Sequence, residues 1–408
     1  MRARLLIGSL AVSLAGAQTL RELESQGQAL KQRGDAASAL AVYQKAAALA
    51  PESAAVQHEV GFLLAVLKRP AEAKPHFQRA IQLEPGYAPP YYHLGFLLWL
   101  ENDTAAAIPL LQTAARLAPQ SFDYRYQLGI SLHAIDRVAE AIPELEAATR
   151  LQPQSSKAWL SLGVSLEKNG ALNDARTAYQ KAVEFAPGDS RARNALGFVL
   201  VQLREADLGI AEFRKILDAD PQNLVAMTNI GFAWLQKGEY EKAVAQFGTV
   251  LDRDPNSAVA FYDLGLALKQ KDDLEGAKKA LLEAVRLDPD MAEAHYTLGI
   301  VHWQSGDFEA TADQMRAAVK LRPNYAAAHY MLGTALKQKG DLESAILALR
   351  ESIRLDPDDP GPHNTLGQIL RIRGDLEESR KEFAEGARIK SRKEAEQAKM
   401  LRSTPGAR

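Results

Sequence analysis

The stretch "DPDMAEAHYTLG", residues 288–299, sets a proline at 289 and a glycine ten residues later, and this outline returns along nearly the whole chain. Gly27, Gly61, Gly95, Gly129, Gly163, Gly197, Gly231, Gly265, Gly299, Gly333 and Gly367 stand 34 residues apart without insertion or deletion. A second series, Pro51, Pro85, Pro119, Pro153, Pro187, Pro221, Pro255, Pro289, Pro323 and Pro357, falls 24 residues after successive glycines. Two independent marks on one period define an internal repeat, eleven units long.

Between the marks, apolar residues follow a helical rhythm. Residues Ala292–Gln304 and Phe308–Leu321 read as two amphipathic helices separated by "SGD" at 305–307. Six repeats place a glycine in that turn, seven residues after the leading one: Gly34, Gly170, Gly238, Gly306, Gly340 and Gly374. A helix C-terminus favours a left-handed residue without a Cβ. The proline closes the second helix because it lacks the N–H that another turn would require. The leading glycine lies inside the first helix, where it costs roughly 1 kcal/mol relative to alanine. Repetition of that cost predicts a close helix–helix approach at each glycine.

The chain resembles the tetratricopeptide repeat family, whose unit is a 34-residue helix pair. The likeness rests on the two series above and on three further rows. Twelve residues after the glycine stand Ala39, Ala73, Ala107, Ala141, Ala175, Ala243, Ala277 and Ala345; sixteen after it stand Tyr43, Phe77, Tyr179, Phe213, Phe247 and Phe383. Nineteen after it stand Ala46, Ala80, Ala114, Ala148, Ala182, Ala284 and Ala318. The resemblance implies an all-α fold: a right-handed superhelical α-solenoid of stacked antiparallel helix pairs. Gly209, Ile216 and Thr311 replace expected alanines, and looser stacking is expected around them. Pro75, Pro109 and Pro143 share one place in three consecutive second helices, which predicts that those helices start late enough to leave the proline in the first turn.

The formal charge is −2 and cysteine is absent, so disulfides, thiolate nucleophiles and cysteine metal ligands are excluded. Near-neutral charge gives no support to nucleic-acid binding, which uses a basic patch or stripe. Residues 1–17 differ from the rest: "MRAR" is basic, "LLIGSLAVSLAG" is apolar, and Ala15-Gly16-Ala17 is a small-x-small site. This reads as a secretory signal peptide cleaved after Ala17, with a secreted or periplasmic protein starting near Gln18; a helical N-terminal cap is the alternative. The apolar run is too short for a stable membrane span, which requires ~20 residues. The eleven repeats then occupy 18–393, and residues 394–408 form a charged helical extension and tail. Ser391 stands where the eleventh proline is expected, so the last helix should run on to about Arg402. That extension reads as a solvating cap; its basic residues Arg388, Lys390, Arg392, Lys393, Lys399, Arg402 and Arg408 also suit contact with an acidic surface.

At 100° per residue, the first helix of each repeat has two sides. Positions four before, one before and three after the glycine carry bulky residues and should pack. Positions six and three before it, and one, four and five after it, share the opposite side, which in the resembling family lines an inner groove. Three before the glycine stand Tyr92, Tyr126, Tyr262, Tyr296 and Tyr330; one after it stand Phe62, Phe96, Phe198 and Phe232; four after it stand Trp99 and Trp303. Five after it stand Gln202, Gln236, Gln270, Gln304 and Gln338, and Lys337 precedes the last of these. Tyr and Trp combine contact area with a polar tip, and Gln both donates and accepts, as a peptide backbone requires. Helices pack about 8–10 Å apart, so every third residue of an extended peptide, rising ~3.3 Å per residue, would meet the same row.

The expected partner is therefore one or more proteins, held through an extended segment, with no nucleic acid and no stable membrane insertion. Against this stand plainer readings: Gln as a good helix former on an exposed face, and the aromatics as packing between repeats. Some family members clamp a partner's terminal carboxylate with Lys three before and Asn one after the glycine; neither occurs here, and an Asn ladder two before it is represented by Asn229 alone. His295, His329 and His363 fall at one place in adjacent repeats, too far apart to share a metal ion, and read as packing residues. No HExxH, GxGxxG, Walker-type loop or GxSxG elbow occurs. The reading is a non-catalytic extracytoplasmic scaffold, without cofactor or metal. Two other classes remain: a self-associating structural solenoid, distinguished by light scattering, and a glycan-binding module, distinguished by affinity for protein-free polysaccharide.

Overall fold

The computed structural model describes residues 19–403. The proposed signal peptide, 1–17, lies outside them. Among the described residues there are 22 helices, two per repeat, and the Gly299 repeat forms Ala292–Gln304 and Phe308–Leu321 as its periodicity predicts. First helices are capped by short polar side chains, as where Ser53, Ser121, Ser155 and Ser257 accept from the N–H three residues on. Asp35, Asp103, Asp273, Asp307 and Asp341 do the same for second helices.

The described residues divide within helix Ser190–Gln202 into two compact units, 19–199 and 200–403. Each is all-α and is built by stacking: apart from Ser190–Gln202, at the division, helices adjacent in sequence pack against one another. Within each unit, successive first helices also meet directly, as Ala54–Val66 meets Ala88–Leu100 and Leu224–Gln236 meets Ala258–Gln270, whereas successive second helices have no comparable contact among the described residues. First helices are thus closer together than second helices, so each stack curves with its first helices on the inner side.

The leading glycines mark the predicted close approaches. A Cβ on Gly163 would lie 2.4 Å from Tyr179, on Gly231 2.6 Å from Phe247, and on Gly333 2.6 Å from Leu349, in each case the residue sixteen further on. Those partners are fully buried, as are the alanines of the other two rows. All eleven turn positions, seven after the glycine, have positive φ: six are the glycines noted above and five are Lys68, Asn102, Asp136, Arg204 and Asp272. The geometry belongs to the repeat, and side chains are accommodated in it where glycine is absent.

Two expectations are corrected. The helices Pro70–Leu83, Thr104–Leu117 and Val138–Leu151 do not start late, and Pro75, Pro109 and Pro143 lie inside them. All three prolines and the residues four before them, Ala71, Ala105 and Ala139, are exposed, so the carbonyl that loses its donor can turn to water. Two of the three substituted alanine positions are closed rather than loosely packed. Thr311 is fully buried with its hydroxyl donating to the Asp307 carbonyl at 2.8 Å, and Ile216 is buried in the core.

The last helix, Leu376–Ser403, runs past its repeat as predicted. Its first half packs through Ser379, Gly386 and Ile389; beyond them it is largely exposed. Arg392, just before the extension, pairs with Asp358 at 2.5 Å. No described helix is long and apolar enough to cross a membrane.

Candidate binding face

The inner face of each stack is built from the first helices, and one contact recurs along its floor. The residue three before a glycine meets the residue two before the next one, 35 positions on. His58 Nε2 lies 3.0 Å from His93 Nδ1, the Tyr126 hydroxyl lies 3.4 Å from Ser161 Oγ, and Tyr262 hydrogen-bonds Thr297.

The predicted aromatics are half-buried, and each spends part of its surface on packing. Tyr92 stacks on Tyr124 of the next repeat at 4.6 Å and on Phe96 at 6.1 Å, and Phe96 stacks on Trp99 at 5.7 Å. Tyr126 stacks on Phe122 at 5.6 Å, Tyr296 meets Tyr325 at 4.9 Å, and Trp303 meets Phe308 at 4.9 Å. The Tyr330 ring lies against Gly361, where a Cβ would come within 3.0 Å of it. Burial pushes the Tyr92 hydroxyl up to about 12. Phe198 and Phe232 are likewise half-buried. These rings thus serve as mortar between repeats and as partly open surface at once.

The glutamines differ. Gln236, Gln270, Gln304 and Gln338 are exposed, and their amides make no hydrogen bond within the described protein. Gln202 is exposed as well but is engaged with a neighbouring group. Lys337 donates to Gln368 Oε1 at 2.5 Å.

In the first unit, His58, which is buried, and His93, which is half-buried, form a pair beside Phe62, Phe77 and Tyr87. His93 Nδ1 donates to the Pro89 carbonyl at 3.0 Å. Burial lowers His58 to about 3 and His93 to about 4, with the adjacent Lys31 adding to both shifts, so both rings are neutral near pH 7.

The row four before the glycine, assigned to packing, carries a second role. In seven repeats its side chain donates to the carbonyl of the repeat proline six residues earlier: Gln57 to Pro51, Tyr91 to Pro85, Arg125 to Pro119, Trp159 to Pro153, Arg193 to Pro187, His295 to Pro289 and His329 to Pro323. Chemically different residues satisfy one loop carbonyl. His295 and His363 are buried and His329 half-buried, with His363 Nδ1 2.6 Å from Glu382. Among the described residues no cluster of three or more His, Asp or Glu could hold a metal ion.

Sequence reasoning passed over one residue of this face. Asp263, two before Gly265, is half-buried and makes no hydrogen bond or ion pair. Burial alone raises its carboxyl to about 6. Glu293, by contrast, pairs with Arg322, whose guanidinium lies 5.0 Å over the Tyr325 ring.

Residues 186–402, more than half of the chain, match the family profile described as the cilia and flagella-associated protein 70 C-terminal domain. Residues 25–88 and 126–190 match one tetratricopeptide repeat profile, and 64–128 match another. The chain belongs to the tetratricopeptide repeat family, with residues 186–402 in the group of that C-terminal domain. No curated protein matches it significantly. Among solved structures, a tetratricopeptide repeat protein from Parabacteroides merdae is 14% identical with a TM-score of 0.54, covering 60% of this chain and 97% of its own. Yeast Tom70 is 16% identical with a TM-score of 0.51, covering 95% and 97%. These likenesses concern the fold. The chain's tetratricopeptide repeats support a role as a protein-interaction scaffold.

Proposed function

We propose that the first-helix faces bind an extended segment of a partner protein, and that this takes place outside the cytoplasm. The observation that carries the reading is the pairing of two rows on one inner face: exposed glutamine amides without internal partners beside half-open aromatic rings. An extended chain leaves its N–H and C=O groups unpaired, and glutamine can satisfy both while Tyr262, Tyr296 and Trp303 offer ring surface to side chains. The extracytoplasmic location rests on residues 1–17 read as a cleaved secretory signal.

The test replaces Gln270, Gln304 and Gln338 together by alanine in the chain starting at Gln18. Alanine is a better helix former than glutamine, so the thermal melt should be unchanged or slightly higher. Partners captured from the native compartment by the wild type should be lost or sharply reduced with the triple variant. Equal capture by a well-folded triple variant would refute the role of the glutamine row. Accumulation of mature protein lacking residues 1–17 in the cytoplasm would refute the location.

A further inference from the structure

Two carboxylates occupy the row two before the glycine, Glu59 and Asp263. Glu59 is neutralised by Lys31, which comes from the first helix of the preceding repeat, 28 positions earlier. The Lys31 ammonium also stands 5.0 Å over the Phe62 ring. The chain itself therefore shows which group satisfies an acid on this floor: a lysine ammonium reaching it along the inner face.

Twenty-eight positions before Asp263 stands Leu235, and 35 before it stands Thr228, with which it makes no hydrogen bond. The architectural place that supplies a cation to Glu59 supplies an aliphatic group to Asp263. The nearest cation on its own first helix, Lys269, lies six residues on, about 9 Å along the axis, and forms no ion pair with it. A carboxylate removed from water without a partner is costly, and burial has raised this one to about 6.

The surroundings specify more than charge. Val259 lies one turn before Asp263 on the same side of the helix and is 55% exposed, and Val225, its counterpart in the preceding repeat, is 60% exposed. An uncovered aliphatic strip beside an unpaired acid matches a long side chain with an apolar stem and a cationic end. We infer that Asp263, with Val225 and Val259, forms a subsite for a lysine or arginine side chain of the partner segment. This deepens the groove reading above and rests on it.

The test uses a displayed library of random linear twelve-residue peptides selected on the mature chain and on Asp263→Asn, with the triple glutamine variant as reference. Asparagine keeps the volume and removes the charge. Wild-type protein should enrich peptides with Lys or Arg at one fixed position, and Asp263→Asn should lose that preference while keeping the others. In a synthetic peptide from the wild-type pool, replacing that residue by norleucine should weaken binding about tenfold or more on wild type and little on Asp263→Asn. Asp263→Lys should turn the preference toward Asp or Glu. Enriched peptides without a basic position, or with one that survives Asp263→Asn, overturn the subsite and leave the groove reading standing. Enrichment no greater than on the triple glutamine variant overturns the groove reading, and the subsite with it.

Discussion

Gly163→Ala tests whether close approach is the reason for the glycine series. An alanine Cβ would stand 2.4 Å from Tyr179 Cε1 and 2.5 Å from Cδ1, distances no real Cβ tolerates. The ring cannot easily withdraw: Tyr179 is only 1% exposed, and its hydroxyl donates to Glu167 at 2.6 Å. Overpacking a filled core costs about 1–3 kcal/mol, and a clamped ring belongs at the upper end. Alanine returns about 1 kcal/mol of helix preference, leaving a net loss of about 1–2 kcal/mol. Gly95→Ala meets Leu111 at 3.0 and 3.1 Å and the Ala107 carbonyl oxygen at 3.2 Å, so its neighbours need shift by only a few tenths of an ångström and its net loss should be smaller than that of Gly163→Ala. Urea unfolding of the full chain by circular dichroism reads the difference. Hydrogen exchange over Ser156–Lys168 and Leu172–Phe185 localises it, because stacked repeats sum local stabilities. On a Tyr179→Ala background the same glycine change should turn stabilising by about 1 kcal/mol, since the clash is gone. A Gly163→Ala protein at least as stable as wild type, or no sign change in that background, would refute the argument.

Three further outcomes follow from the same geometry. Lys68 and Arg204 sit at φ of 60° and 64°, where a side chain costs roughly 1–2 kcal/mol, so Lys68→Gly and Arg204→Gly should each raise stability by about 0.5–1 kcal/mol, and Asn102→Gly by less. His58 and His93 have folded pKa values lowered to about 3 and 4, so below pH 6.5 the unfolded chain binds protons that the folded chain refuses. Stability should be whole above pH 6.5 and fall by up to about 1.4 kcal/mol per ring for each pH unit below it, and His58→Phe should flatten that fall in urea midpoints taken between pH 7 and 5. Asp263 runs the other way: its folded pKa of about 6 exceeds the ordinary 3.8, so its cost is absent near pH 4, grows between the two values and is complete above the upper one. Asp263→Asn should therefore gain up to about 3 kcal/mol in thermal or urea stability at pH 7 and nothing near pH 4; an equal gain at both would remove burial of charge as the cause.

The fold was open to reading because its signals are local and repeated. Glycine, proline and small-residue rows act through backbone strain, missing donors and close packing, which are properties of residue type at a spacing. The inner face was legible as a set of positions, since helical phase places Tyr262, Gln270 and Trp303 on one side. Where the reading went astray, neighbours decided. Pro109 was expected in a first turn and stands deeper, because exposure of Ala105 lets its carbonyl find water. The row of His295 and His329 was assigned to packing, yet its members also donate to a loop carbonyl six residues back, a contact set by how the loop folds over the helix end.

Sequence alone thus determined the repeat, the helix pairs, their turns and which side of each first helix packs, because these depend on groups within one 34-residue period. Only the tertiary structure decided which polar groups on the inner face are satisfied. A tyrosine stacked on the next repeat, a glutamate paired with Lys31 and an aspartate without an ionic partner cannot be told apart within one period; they differ through what stands 28 to 32 residues away, where helix stacking, and not chain proximity, selects the neighbour.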